Sequence, residues 1–114
     1  SSQAIPYEKT DLALYVREGN NLRPVLEGLV VYKNNGEFMS DCEGYTNEVR
    51  RSVEIGPSSH HGFADLIITT SASKMNDSKS GNECVSKTTH LKKTRITLTY
   101  DGQQYGVPED LRGY

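Results

Sequence analysis

Two cysteines, three histidines and a run of lysines and serines are the residues of this 114-residue chain whose types and spacing bear on chemistry. Cys42 and Cys84 are the only cysteines. Neither belongs to a CxxC motif or stands at zinc-finger spacing from a histidine, so two readings remain: free buried thiols or one disulfide. Their flanks, "MSDCEGY" and "GNECVSK", are polar, whereas a buried structural thiol sits more often in an apolar run. A Cys42–Cys84 disulfide is therefore expected, and with it an oxidising, periplasmic or secreted setting. It would close a loop of about 43 residues, for which chain entropy gives roughly 4 kcal/mol at most.

His60 and His61 lie side by side in "GPSSHHG". They could serve a metal or act as a general base. Neighbours on an extended loop point apart, however, and no Cys or carboxylate cluster stands at ligand spacing, so a solvated turn is the stronger reading. No metal or cofactor is expected. There is no GxSxG elbow and no Gly-rich phosphate loop. The carboxylates are scattered rather than paired as glycosidase chemistry requires. The chain reads as a binding protein, not an enzyme.

The stretch that invites a binding role is "TTSASKMNDSKSGNEC", Thr69 to Cys84. It reads as a long polar loop, anchored by the apolar run before it and by Cys84 behind it. Such a loop is an entropic liability unless something uses it, and a loop held on a rigid sheet suits insertion into a cleft. Lys74, Met75, Asn76, Asp77, Ser78 and Lys79 are its candidate contacts: lysines for carboxylates, Met75 for apolar contact, Asn76 and the serines for hydrogen bonds. A merely tolerated surface loop is the competing reading. Lys92, Lys93 and Arg95, with Lys87 nearby, form a second candidate patch for an acidic partner, or else charges that blunt a sheet edge. Asn76-Asp77-Ser78 also fits the N-glycosylation pattern, which is short and frequent by chance.

The elements that must position these residues show a period of two. In "KKTRITLTY", Ile96, Leu98 and Tyr100 alternate with polar residues, as in a strand with one wet face. Asp101-Gly102 is a hairpin signal, after which "QQYGV" returns with Tyr105 and Val107 on one face and Pro108 ends it. Upstream, "DLALYVRE" and "VLEGLVVYK" read as strands divided at Asn20-Asn21 and Pro24. Asn34–Gly36 reads as a turn, "GEFMSDC" and "RRSVEIG" as strands, and "FADLIITTS" as a central strand. One short helix is allowed, behind Thr46 or Thr10. The expected fold is mostly β: a small antiparallel sandwich or barrel of seven or eight short strands in a single domain spanning 1–114.

The start "SSQAIPYEKTDLALYVREG" together with "GEFMSDCEGYTNE" resembles the periplasmic immunity proteins of type VI secretion. These neutralise the lysozyme-like, peptidoglycan-degrading domains of VgrG spike proteins. Bacterial lysozyme inhibitors are a second group of similar character, but the Ser-x-Lys signature of their membrane-bound members is absent. The resemblance runs along most of the chain without a signature motif, so no family binding residue is carried over. It implies a periplasmic dimer that plugs a muramidase cleft, where Lys, Ser and Asn would meet acidic catalytic groups.

Composition narrows the alternatives. With 13 basic and 15 acidic residues the net charge is −2, without the basic excess usual in nucleic-acid binders. No apolar run approaches the roughly 18 residues that span a bilayer. The start has no apolar signal core and reads as a mature N-terminus left by signal-peptide removal, or as an arbitrary chain boundary. A chain only 34% hydrophobic and without Trp has a thin core. An open sandwich also leaves edges to cover, which favours a homodimer. A secreted adhesion, pilus-associated or host-facing binding domain is the alternative function.

Overall fold

Three two-residue turns set the architecture. Glu18 pairs with Asn21, His60 with Phe63 and Ser80 with Glu83. Each encloses a glycine at positive φ, and at the second His61 (φ 51°) and Gly62 (φ 88°) both adopt the left-handed conformation. That is the backbone a tight hairpin needs to match strand twist. The computed structural model describes residues 3–112 and forms β1 (Gln3–Glu18), β2 (Asn21–Phe38), β3 (Gly44–His60), β4 (Phe63–Ser80), β5 (Glu83–His90) and β6 (Thr94–Leu98), plus a 3-10 turn at Glu109–Leu111. The expected processed terminus concerns Ser1 and Ser2, which lie outside the described residues.

The chain is mostly β and antiparallel, as its alternation implies. The strands run in the order β1-β2-β3-β4-β5, with β6 also paired to β4. The expectation of seven or eight short strands is corrected to six, four of which are 16 to 18 residues long. Asn34–Gly36 is not a turn but the interior of β2, paired with β3 from Asn34↔Glu48 to Gly36↔Thr46. The helices allowed behind Thr10 and Thr46 are strand. "GPSSHHG" is strand as far as His60. The hairpin at Asp101 returns only as a single bridge, Tyr100↔Tyr105, not a ladder.

Strand pairing divides the molecule into two halves. β2 pairs with β3 only from Tyr32 to Phe38. Below that point β2 turns away, and its edge is taken by the C-terminal segment through Tyr105 N–H to Val25 O at 2.6 Å and the bridge Leu29↔Arg112. Bulges in the β1–β2 ladder let consecutive residues, Val25-Leu26 and Leu29-Val30, both become buried, since an extra residue bends and twists a strand. The sheet thereby rolls over itself in this half. Val25, Leu26 and Leu29 of β2 meet Leu66 and Ile68 of β4, Leu98 of β6, and Tyr100, Tyr105, Val107 and Leu111. The roll does not close. A cleft of about 270 Å³ opens between Leu14 and Val16 of β1 and Ile55 and Phe63 of the β3–β4 hairpin.

The other half is an arm: the ends of β1 to β4 with all of β5, in a single layer. β5 is exposed along its whole length. The molecule measures 63 × 27 × 19 Å with a radius of gyration of 18.8 Å, against about 13 Å for a compact chain of this size. The arm's tip is stapled by the Cys42–Cys84 disulfide, with Cα atoms 5.7 Å apart. It ties the β2–β3 connection to β5. There Gly44 lies so close to Phe38 that a Cβ would overlap its ring and backbone.

Two outcomes follow. Ile68 is 1% exposed at the centre of the core, so Ile68→Ala will cost about 2–5 kcal/mol, measured by urea unfolding. Reduction of the disulfide will abolish amide-exchange protection in β5 first, while Leu26 and Ile68 keep theirs, because the arm has no core beneath it.

Candidate binding surface

The register between β3 and β4 is unbroken from Gly44↔Asp77 to Ile55↔Leu66. Paired residues share a face and alternate along a strand. The face that buries Leu66 and Ile68 in the core therefore carries Thr70, Ala72, Lys74 and Asn76 in the arm. This is the inner face. Reading across it, Lys9 stands opposite Lys33, Lys33 opposite Val49 and Val49 opposite Ala72. One step towards the tip, Asn35, Asn47, Lys74 and Thr89 align, then Glu37, Tyr45, Asn76 and Lys87. The Lys74 ammonium lies 5.2 Å from the centre of the Tyr45 ring, within cation–π range.

Arg51 marks the boundary between core and arm on this face. Its guanidinium donates to Val30 O at 2.8 Å and to Thr70 Oγ1 at 3.0 Å. Burial pushes its pKa below the usual arginine value, with Asp110 opposing the shift. Its charge is thus committed to the fold. Lys9 contacts Asp11 at 3.7 Å. Among the described residues Lys33, Lys74 and Lys87 form no ion pair.

The outer face differs. Arg50 pairs with Glu48 at 2.6 Å and sits 4.8 Å from the Tyr32 ring centre, and Asn34 Nδ2 donates to Tyr32 Oη at 3.1 Å. Met75, Asp77 and Lys79 alternate onto this side, across from Thr88, Ser86 and Cys84.

The sequence-derived site is therefore redistributed. The segment Lys74–Lys79 is not a loop but the C-terminal part of β4, hydrogen-bonded between β3 and β5. Both faces of the arm are wet, so its strands carry Ser, Thr, Asn and Lys, a composition that reads as loop. Lys74, Asn76 and Ser78 share the inner face. Met75, Asp77 and Lys79 point the other way. Lys92 and Lys93 are exposed between β5 and β6, and Arg95 pairs with Thr69 on the outer side, so this patch does not join the inner lysines. Lys9, Lys33 and Tyr45 are absent from the sequence reading, and Lys87, read there as a neighbour of the Lys92–Arg95 patch, stands on the inner face opposite Asn76 instead. Alternation from Ile68 locates Lys74, but only cross-strand register brings the others beside it.

The histidines part company as their backbone requires. His60 Nδ1 lies 2.7 Å from Asp65 Oδ1, and Asp65 is 6% exposed. The pair holds the bulge between Ile55 and Ser59 against β4. His61 faces the turn at Gly102 instead. No group of three His, Cys, Asp or Glu side chains suited to a metal occurs among the described residues.

The base of the molecule is fixed by polar contacts. Arg23 bonds Glu18 at 2.7 Å, Gln103 O at 2.5 Å and Tyr100 Oη at 2.8 Å. Hydrogen bonds to Tyr100 and then Glu18 raise its pKa. Tyr105 Oη donates to Ala64 O at 2.6 Å, and burial raises the pKa of this phenol. Comparison with protein-family models, with curated proteins and with solved structures gives no match. No helix among the described residues is long and apolar enough to cross a membrane.

Asp101 supplies a pH test. Its carboxylate accepts the backbone N–H groups of Gln104 and Gln103 at 2.9 and 2.8 Å, and these bonds hold its pKa below the usual carboxylate value. A depressed folded pKa gives stability that is present above the unfolded value of about 3.9 and is lost as pH falls through the lower folded one. The carboxyl carbon of Asp101 will titrate below its unfolded value in an NMR pH series, and Asp101→Asn will remove that part of the acid dependence.

Proposed function

We propose that this chain is a non-catalytic binding protein of the periplasmic immunity or inhibitor kind, which blocks the active-site cleft of a peptidoglycan-degrading, lysozyme-like effector domain. The observation that supports this reading is the arm. About half of every long strand extends beyond the core and buries nothing comparable to it, yet the tip is cross-linked. Ordering a residue costs on the order of 1–2 kcal/mol of backbone entropy, so a wet, single-layer sheet is an expensive element for stability alone. Its use lies in what it presents. The disulfide suits an oxidising compartment, which is where a cell-wall hydrolase acts.

The outer edges of β1 and β5 carry no strand partner among the described residues. Homodimerisation through such an edge belongs to the same proposal. The edge of β1 also supports a second reading, a secreted adhesion or host-facing domain that binds by strand addition. Tyr7 and Tyr15, each 54% exposed on β1, would supply apolar contact for it.

The deciding experiment is a peptidoglycan-hydrolysis assay with the lysozyme-like domain of a type VI spike protein. Stoichiometric addition of this protein will abolish turnover, with no hydrolytic activity of its own. Full turnover at tenfold excess, together with binding to a glycan or host surface protein, would establish the second reading instead.

A further inference from the structure

We infer that the inner face of the arm, centred on Lys33, Lys74 and Tyr45, is the surface that meets the partner, and that it fits a carboxylate-lined cleft. The identity of the cleft as a hydrolase's rests on the function proposed above; the choice of face and the sign of its partner's charge do not.

Four observations carry the inference. The first is charge left uncommitted. Arg50, at the middle of the outer face, is neutralised by Glu48 and the Arg51 guanidinium is bound to Val30 O and Thr70, whereas Lys33, Lys74 and Lys87 form no ion pair among the described residues; on the outer side only the more peripheral Lys79 and Arg95 are likewise without one. The second is cost. Lys9 and Lys33 stand directly across a strand pair, where like charges destabilise a sheet. Asp11 relieves that repulsion on one side only. The third is the setting of Lys74. An ammonium held over Tyr45, between Asn47 and Asn76 in adjoining register, forms a partly apolar patch with adaptable hydrogen-bonding groups around it, the mixture found at interface centres. The fourth is spacing. Directly paired side chains lie about 5 Å apart, strands about 4.8 Å apart and residues about 3.3 Å apart along a strand, so Lys9 and Lys33 lie about 5 Å apart and Lys74 and Lys87 about 8 Å apart, with about 12 Å between Lys33 and Lys74. Carboxyl pairs that flank a glycosidic bond are separated by about 5–9.5 Å.

By register the acids of this face are Asp11 towards the core, Glu37 directly across from Tyr45, and Glu83 opposite Ser80 at the far end of β4; none stands between Lys9 and Lys33 or between Lys33 and Lys74. The central surface is thus a cationic plate with one aromatic ring. A buried lysine–carboxylate contact there leaves the partner's charge unpaired when the lysine is removed.

The test uses two readouts on the intact, oxidised protein. In the first, Lys33→Glu/Lys74→Glu on the inner face is compared with Arg50→Glu/Lys79→Glu on the outer face, each checked by thermal melting. Against the lysozyme-like effector domain, the inner pair will weaken affinity at least 100-fold and the outer pair less than fivefold. Wild-type binding will weaken as salt rises. Equal losses from both pairs, or loss from the outer pair alone, overturn the inference. In the second, amide shifts are followed during titration with poly-L-glutamate. Shifts confined to Lys33, Tyr45, Asn47, Lys74 and their neighbours support the inference. Shifts on Arg50, Ser71 or His90, or none at all, overturn it. If the wild type ignores the effector domain while poly-L-glutamate maps to the inner face, the hydrolase reading falls and the assignment of an acid-binding face stands.

Discussion

The unbroken ladder between β3 and β4 is the constraint on which the rest depends. A one-residue slip anywhere along it would exchange the two faces. Ile68 and Leu66 would leave the core, and Met75 and Asp77 would replace Lys74 and Asn76 on the inner side. Core and arm therefore specify one another. The hydrophobic half pins the register, and the register aims the polar half. β2, by contrast, breaks its pairing with β1 repeatedly, and those bulges roll the sheet into a core while the β3–β4 ladder stays regular from Gly44 to Ile55.

The two halves draw on different sources of stability. Around the core, burial of aliphatic side chains is supplemented by tilted aromatic contacts, Phe63 with Tyr100 at 4.6 Å and Tyr100 with Tyr105 at 5.4 Å. Arg23 then bonds the outer end of the Tyr100 ring. In the arm the backbone ladders and the disulfide have to suffice, because polar side chains on both faces contribute little by burial. Cross-linking at the tip rather than at the base puts the covalent constraint where non-covalent support is weakest.

Much of this was legible in the chain, in proportion to how local the signal is. Ile96, Leu98 and Tyr100 were read correctly because one strand with one buried face shows its alternation directly. The Cys42–Cys84 disulfide was legible because the polar flanks of both cysteines speak against buried free thiols, and two cysteines admit only one pairing. The arm was not legible. Alternation of apolar and polar residues disappears when both faces are wet, so Thr69–Ser80 had no visible period and Asn34–Gly36 looked like a turn. The candidate surface fared similarly. Consecutive residues, Lys74 to Lys79, were grouped by sequence, whereas a strand sends neighbours to opposite sides. Lys33 and Lys9 join Lys74 only through hydrogen bonding between strands far apart in the chain.

The way the core is sealed bears on how the molecule forms. The guanidinium of Arg23 closes on the carbonyl of Gln103, 80 residues further along, and Tyr105, Val107 and Leu111 occupy the flank that β2 leaves open. Before that late segment arrives, the β1–β2 hairpin can cover only part of β4. Contacts of such long range give slow, entropically limited folding. The shared interior of the hairpins is complete only when a short, aromatic-bearing tail docks onto the first third of the sequence.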